Sequence, residues 1–315
     1  MKTMTRTLCL VALISAAACS EDKDGTPAGM DSGVTAGGAS GSTNTAPNLY
    51  QRLGHEAGIG TVMDDFIGRV LADSKINGYF LNSNVDGGRL KNCLVLQVGN
   101  LTGGPQIYPS AGCRDMKTSH AGMRISRRDF DDLAGHLVMA LQKAGVAATD
   151  VNAIVAAVTP MASDIVEDTA NNATVYQRVG RKPAIATVVT DFIGRVVKDT
   201  RINGFFTMAK ADRLHTCLVR QVCGIDGPCK YGMEVDAAEP GVSRAKPCVD
   251  MKSSHAGLTN TQGMGISMAD FGALVEDLVA ALDAAGVTAA DKNALLGVLG
   301  SLCPDIVSTP EKCGK

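Results

Sequence analysis

Two histidines stand at matching places with matching neighbours. The stretch Cys113-Arg114-Asp115-Met116-Lys117-Thr118-Ser119-His120-Ala121-Gly122 returns as Cys248-Val249-Asp250-Met251-Lys252-Ser253-Ser254-His255-Ala256-Gly257, each time with the cysteine seven residues before the histidine. The chain holds five histidines, and no other pair falls at matching places. A neutral imidazole is a common metal ligand, and an exported cysteine pairs, so the chemistry on offer is metal ligation beside disulfide formation. The plainer role is a polar loop residue or a helix cap. His55, His136 and His215 have no histidine counterpart and read as surface residues, although His215 directly follows Leu214. A zinc site from Cys93, Cys113 and His120 would supply only three ligands and compete with disulfide formation. No Cys-x-x-Cys-His motif is present, and the glycines of Thr102 to Pro105 are not followed by Lys and Ser/Thr at phosphate-loop spacing.

The elements that must position these histidines also occur twice. Leu49-Tyr50-Gln51-Arg52-Leu53-Gly54 is echoed by Val175-Tyr176-Gln177-Arg178-Val179-Gly180, and Asp65-Phe66-Ile67-Gly68-Arg69-Val70 by Asp191-Phe192-Ile193-Gly194-Arg195-Val196. Ile76 to Phe80 matches Ile202 to Phe206, and Ala144-Gly145-Val146 matches Ala285-Gly286-Val287. A tandem duplication accounts for this, with an insertion around Cys229 to Lys246 in the second copy. Val62, Phe66, Ile67, Val70 and Leu71 recur at helical steps, as do Leu90, Leu94 and Val98. Phe130, Leu133, Leu137, Met139, Ala140 and Leu141 form a broad apolar face on a third helix, with Ser126 as its cap and Gly145 as its stop. Pro160 interrupts a fourth run, Ala148 to Val166. Nothing alternates at strand length, so the fold class is all-α, four main helices per copy, with the histidine in a loop-rich stretch between the second and third. The repeat also proposes the disulfides. Cys93 matches Cys217 and Cys113 matches Cys248, so Cys93 with Cys113 and Cys217 with Cys248 are the economical bridges, leaving Cys223 with Cys229 and Cys303 with Cys313 as local loops.

The ordered set resembles the group 1 truncated hemoglobins over nearly all of each copy. It comprises Leu49-Tyr50-x-Arg52-Leu53-Gly54, Asp64-Asp65-Phe66-x-x-Arg69-Val70, Tyr79-Phe80, Arg89-Leu90-Lys91, Gly103-Gly104-Pro105 with Tyr108, Met116-Lys117-x-x-His120 and the closing Ala144-Gly145-Val146. The resemblance implies two tandem two-over-two truncated globin domains, each with a noncovalent heme b. It puts His120 and His255 on the proximal heme ligand, and Phe80 and Phe206 on the aromatic that packs the porphyrin. Members of the family usually place a tyrosine on the second helix and a glutamine on the distal helix. The matching residues here are Ile67 and Leu94 in the first copy and Ile193 and Leu218 in the second, with Leu90 and Leu214 completing an aliphatic distal wall. Arg89 and Arg213, with Lys117 and Lys252, are candidate partners for heme propionates.

The expectation is an exported heme b protein that reversibly binds a diatomic gas (O2, NO or CO) at up to two sites per chain. The alternative is a heme-free degenerate globin used as a structural or interaction module. NO dioxygenase or peroxidase-like turnover finds neither distal donors nor a reductase domain, so an enzyme is not expected. Lys2 and Arg6, the apolar run Leu8 to Ala18 and the small residues Ala16-Ala17-Ala18 read as a signal peptide over 1–18. Cys19 then resembles the lipidated cysteine of a bacterial lipoprotein, although Ala16 stands where a larger aliphatic residue is usual. A Gly-, Ser- and Thr-rich tether over 19–47 cannot cover its own ordering entropy. The first globin domain is expected over 48–170 and the second over 171–315. Anchoring at the periplasm or cell surface through Cys19 is expected, with soluble periplasmic or secreted protein as the alternative. A formal net charge of -2 and the lack of a basic run exclude nucleic acid as a partner, and no protein partner is identifiable.

Overall fold

Ala, Leu and Met supply most of the apolar positions, and their three- and four-residue spacing is resolved almost wholly into helices. The computed structural model describes residues 46–81, 86–110, 112–232, 239–243, 245–308 and Cys313, and among these only isolated bridges pair extended residues. The signal segment and nearly all of the tether lie outside the described residues. From Ala46 onward the chain packs as one unit.

The first set of helices is α1 (Leu49–Arg52), α2 (His55–Ala72), α3 (Gly78–Leu81), α4 (Gly87–Leu101), α5 (Met116–His120), α6 (Arg127–Lys143), α7 (Ala148–Val158) and α8 (Ala162–Ile165). The second set repeats the order as α9 (Val175–Arg178), α10 (Arg181–Val196), α11 (Ala211–Cys223), α12 (Met251–His255), α13 (Met268–Ala284), α14 (Ala289–Ser301) and α15 (Cys303–Ile306), with a short 3-10 turn at Asn203–Phe205 in the place of α3. In each set the longest early helix packs on two others: α2 on α4 and α6, and α10 on α11 and α13. Ile59, Val62, Met63, Phe66 and Val70 line the buried face of α2, and Ile185, Val189, Phe192 and Val196 that of α10.

The expected signals operate. Ser126 and Ser267 each close a capping box with Asp129 and Asp270, and Gly145 and Gly286 follow the helices they end with φ of 75° and 70°. Pro160 sits in the 3-10 turn that separates α7 from α8. Two apolar assignments are corrected. Leu71 and Met139 are exposed, since each lies at the edge of its stripe, and the Met139 sulfur instead accepts from Arg69. His136 is also not the surface residue expected. Its side chain is mostly buried and Nε2 lies 2.8 Å from Asp73 Oδ2, while Nδ1 is buried with no partner among the described residues.

The two sets of helices meet through a buried carboxylate. Asp129, whose side chain is 2% exposed, accepts from Arg181 Nη1 (2.9 Å), Gln177 Nε2 (2.6 Å) and Tyr79 OH (3.1 Å), as well as from its own cap residue Ser126. Arg181 Nη1 also reaches Asp132 at 2.7 Å, and Tyr176 OH donates to Lys75 O at 3.1 Å. Burial pushes the Tyr79 and Tyr176 hydroxyls far above their ordinary pKa, so both stay donors.

Candidate functional site

Each repeated histidine ends a one-turn helix rather than standing in a loop. A five-residue helix does not form on its local propensity, so it must be held from outside. Asp115 caps α5 by accepting from Thr118 N (2.8 Å), and Asp250 caps α12 from Ser253 N (2.8 Å); these backbone donors hold both carboxyls below their usual range. Just upstream, Cys93–Cys113 and Cys217–Cys248 tie the segment to α4 and α11. Cys223–Cys229 and Cys303–Cys313 are also formed, so all four expected bridges are present.

Two further ties repeat. Tyr108 OH donates to Arg114 O (2.7 Å) and Tyr231 OH to Val249 O (2.6 Å), each to the residue after the bridged cysteine. Arg89 Nε donates to Gly112 O at 2.8 Å, and Arg213 Nη1 to Lys246 O at 2.8 Å, with Nη2 on Pro247 O. These arginines were matched to an anionic group, yet their guanidinium donors are held by carbonyls of the segment that leads to the histidine. The repetition of Arg-Leu in both copies was the available signal.

The imidazoles are then fixed in one orientation. His120 Nδ1 lies 2.7 Å from Met116 O, and His255 Nδ1 lies 2.7 Å from Met251 O. A carbonyl can only accept, so Nδ1 carries a proton in both rings, and in the neutral ring the lone pair is then on Nε2. That is the tautomer a metal-ligating histidine needs, with the backbone carbonyl as its orienting partner. His215 takes no part. Its Nε2 sits 3.1 Å from Ala186 O and 3.1 Å from Thr190 Oγ1, toward α10.

In the second copy the named residues converge. Ile193, Phe206, Arg213, Leu214, Leu218 and His255 all line one cavity of about 630 Å³, whose wall is mostly apolar, with Lys210 and Arg213 on its polar part. A cavity of this size and lining falls within the range of small-molecule and cofactor pockets. In the first copy Ile67, Phe80 and Leu94 pack against one core with Phe66 and Val95, while His120 and Leu90 are half-buried and Arg89 is exposed. Gln97 escaped the sequence reading. It lies on α4 three residues after Leu94, is buried, and points its Nε2 at the sulfurs of Met116 (3.6 Å) and Met161 (3.1 Å). A glutamine in a helix reads as a surface residue, and only its return as Gln221 marks it.

A wall of this kind offers one nitrogen lone pair to a metal centre and apolar contact to a flat group that carries the metal. Among the described residues no cluster of three or more His, Cys, Asp or Glu could hold a bare metal ion, so the three-ligand zinc set is not assembled.

Comparison with known proteins gives the same direction. A family model described as Bacterial-like globin matches residues 48–167. The group 1 truncated hemoglobin GlbN of Mycolicibacterium paratuberculosis (strain ATCC BAA-968 / K-10) is 36% identical over 128 residues, covering 41% of this chain and 90% of that protein. GlbN of Nostoc sp. (strain MUN 8820) is 34% identical over 113 residues, covering 36% of this chain and 92% of that protein. The solved truncated hemoglobin of Tetrahymena pyriformis in its Fe(III) form is 24% identical, with a TM-score of 0.35 over 38% of this chain and 98% of its own.

Proposed function

The chain belongs to the group 1 truncated hemoglobins, and on that premise we propose that it is a heme b protein that reversibly binds a diatomic gas at two sites, one in each copy. The observation that carries the reading is the paired histidine geometry, in which Nδ1 is held by Met116 O or Met251 O and Nε2 is left free. In the second copy that ring stands on the wall of the 630 Å³ apolar cavity, which fits a planar porphyrin in size and character.

Heme supplies the iron to which the gas binds. The chain would supply the rest: Nε2 of His120 and His255 as the nitrogen that holds the iron, Phe80 and Phe206 as apolar contact for the flat group, and cations for its charged substituents. Lys117, Lys252 and Lys210 are exposed cations on the histidine segments and the cavity lining. Ile67, Leu90 and Leu94, with Ile193, Leu214 and Leu218, put no donor at the matched distal positions. A hydrogen bond to a bound oxygen is worth roughly 1.5 to 3 kcal/mol, or about ten- to a hundredfold in affinity. Without one at those positions the wall would discriminate less against CO or NO, which depend less on a donor.

The same reading places the protein outside the cytoplasm, anchored by lipid on Cys19 with residues 20–47 as a tether. Four disulfides support an oxidising compartment. No helix among the described residues is long and apolar enough to cross a membrane. Enzymatic turnover is not part of the proposal. Absorption spectroscopy tests it: protein mixed with hemin should give a Soret band that the double variant His120→Ala, His255→Ala lacks. Wild-type protein that refolds with excess hemin yet stays colourless would contradict it.

A further inference from the structure

The two copies share their aliphatic distal residues and a glutamine on the same helix, but differ in what that glutamine meets. Leu214, Leu218 and Gln221 stand at spacings of four and three along α11, which puts all three on one helical face, toward the cavity that His255 also lines. The Gln221 amide has no hydrogen-bond partner among the described residues. Its counterpart Gln97 is buried and engaged by two sulfurs, of Met116 and Met161. The repeat explains the difference. Met116 returns as Met251, but Met161 returns as Leu302, which lines the same cavity and offers no acceptor.

Apart from His255, the other polar side chains on that wall are hydrogen-bonded or exposed, Ser253 among the exposed. Tyr231 OH is given to Val249 O, Ser254 Oγ to Met251 O, and Arg213 to the carbonyls of Lys246 and Pro247, while Lys210 is exposed at the mouth. An amide donor with no partner in an apolar cavity favours an occupant that carries an acceptor atom.

We propose that Gln221 is the ligand-selecting residue of the second pocket: its Nε2 donates to an acceptor atom of a small polar ligand, making that site the tighter oxygen site and the first the weaker. This rests on the heme reading above. The donor stands one turn beyond Leu218, so it replaces the distal amide that Leu218 omits from a neighbouring position on the same helix face.

The test uses the full chain loaded with hemin and reduced, with oxygen release followed by stopped flow and the C–O stretch of added carbon monoxide followed by infrared spectroscopy. His120→Ala and His255→Ala assign each kinetic phase and each band to its copy. Gln221→Met, which keeps the shape and removes the donor, should speed oxygen release from the second copy about tenfold and move its C–O band up toward that of the first. Gln221→Leu should do the same, and Gln97→Met should leave both readouts of the first copy where they were. A Soret band with both readouts of the second copy unchanged in the two Gln221 variants would overturn this proposal alone. A parent chain with no Soret band would overturn the heme reading and this proposal together.

Discussion

His120 and His255 each place Nδ1 2.7 Å from the carbonyl four residues before, and that bond orients the ring with Nε2 turned away from the helix end, as the proposed ligand role requires. On the proposed heme reading, the distal residues set what the pocket retains. Leu94→Gln should restore a donor to the first pocket and slow oxygen release there about tenfold or more, read by stopped flow. A second prediction concerns Glu239. Burial raises its pKa, but Lys182 and Arg220 (2.6 Å) overcome this and hold it below the usual glutamate range. Its folded value is therefore below its unfolded one, so its stabilisation is present above about pH 4.3 and is lost as the pH falls through the folded value. The urea midpoint should drop more steeply between about pH 5 and pH 3 in the parent than in Glu239→Gln. The histidines, their counterparts and the aliphatic wall were legible in the sequence because residue type and repeat position coincide. Gln97 and Gln221 are paired by the repeat, but their role was not legible, because a glutamine on a helix reads as a surface residue, and neither was that of His136, whose partner Asp73 lies 63 residues away.

At the scale of the element, the unexpected feature is the one-turn helix that carries each histidine. Its disulfide, arginine and tyrosine ties come from residues 6 to 34 positions distant from their partners, which local reading cannot weigh. Cys93→Ser with Cys113→Ser removes the bridge that closes a separation of 20 residues. The expected loss is about 2 to 4 kcal/mol in stability, measured by denaturant unfolding. Hemin should also transfer faster from the first copy to an excess of apomyoglobin, since α5 keeps only its arginine, tyrosine and cap. The bridges themselves were read correctly, because a duplicated cysteine pair leaves few economical partners.

At the scale of the molecule, the sequence announces two copies but not how they dock. Docking depends on the places where the repeat breaks: Tyr79 against Phe205, Asp132 against Ala273, and Arg181 against His55. Each break puts a polar group into the contact on one side only, so the first copy's carboxylates meet the second copy's arginine. Arg181→Ala leaves Asp129 buried without its cation and should cost about 3 kcal/mol, with denaturant unfolding splitting from one transition into two. The central claim is a heme site in each copy, and hemin titration followed at the Soret maximum tests it most directly. The expected result is a break at two equivalents per chain, falling to one in His120→Ala and in His255→Ala and to none in the double variant. A titration of the folded parent with no break, or one whose break the double variant retains, would contradict the account.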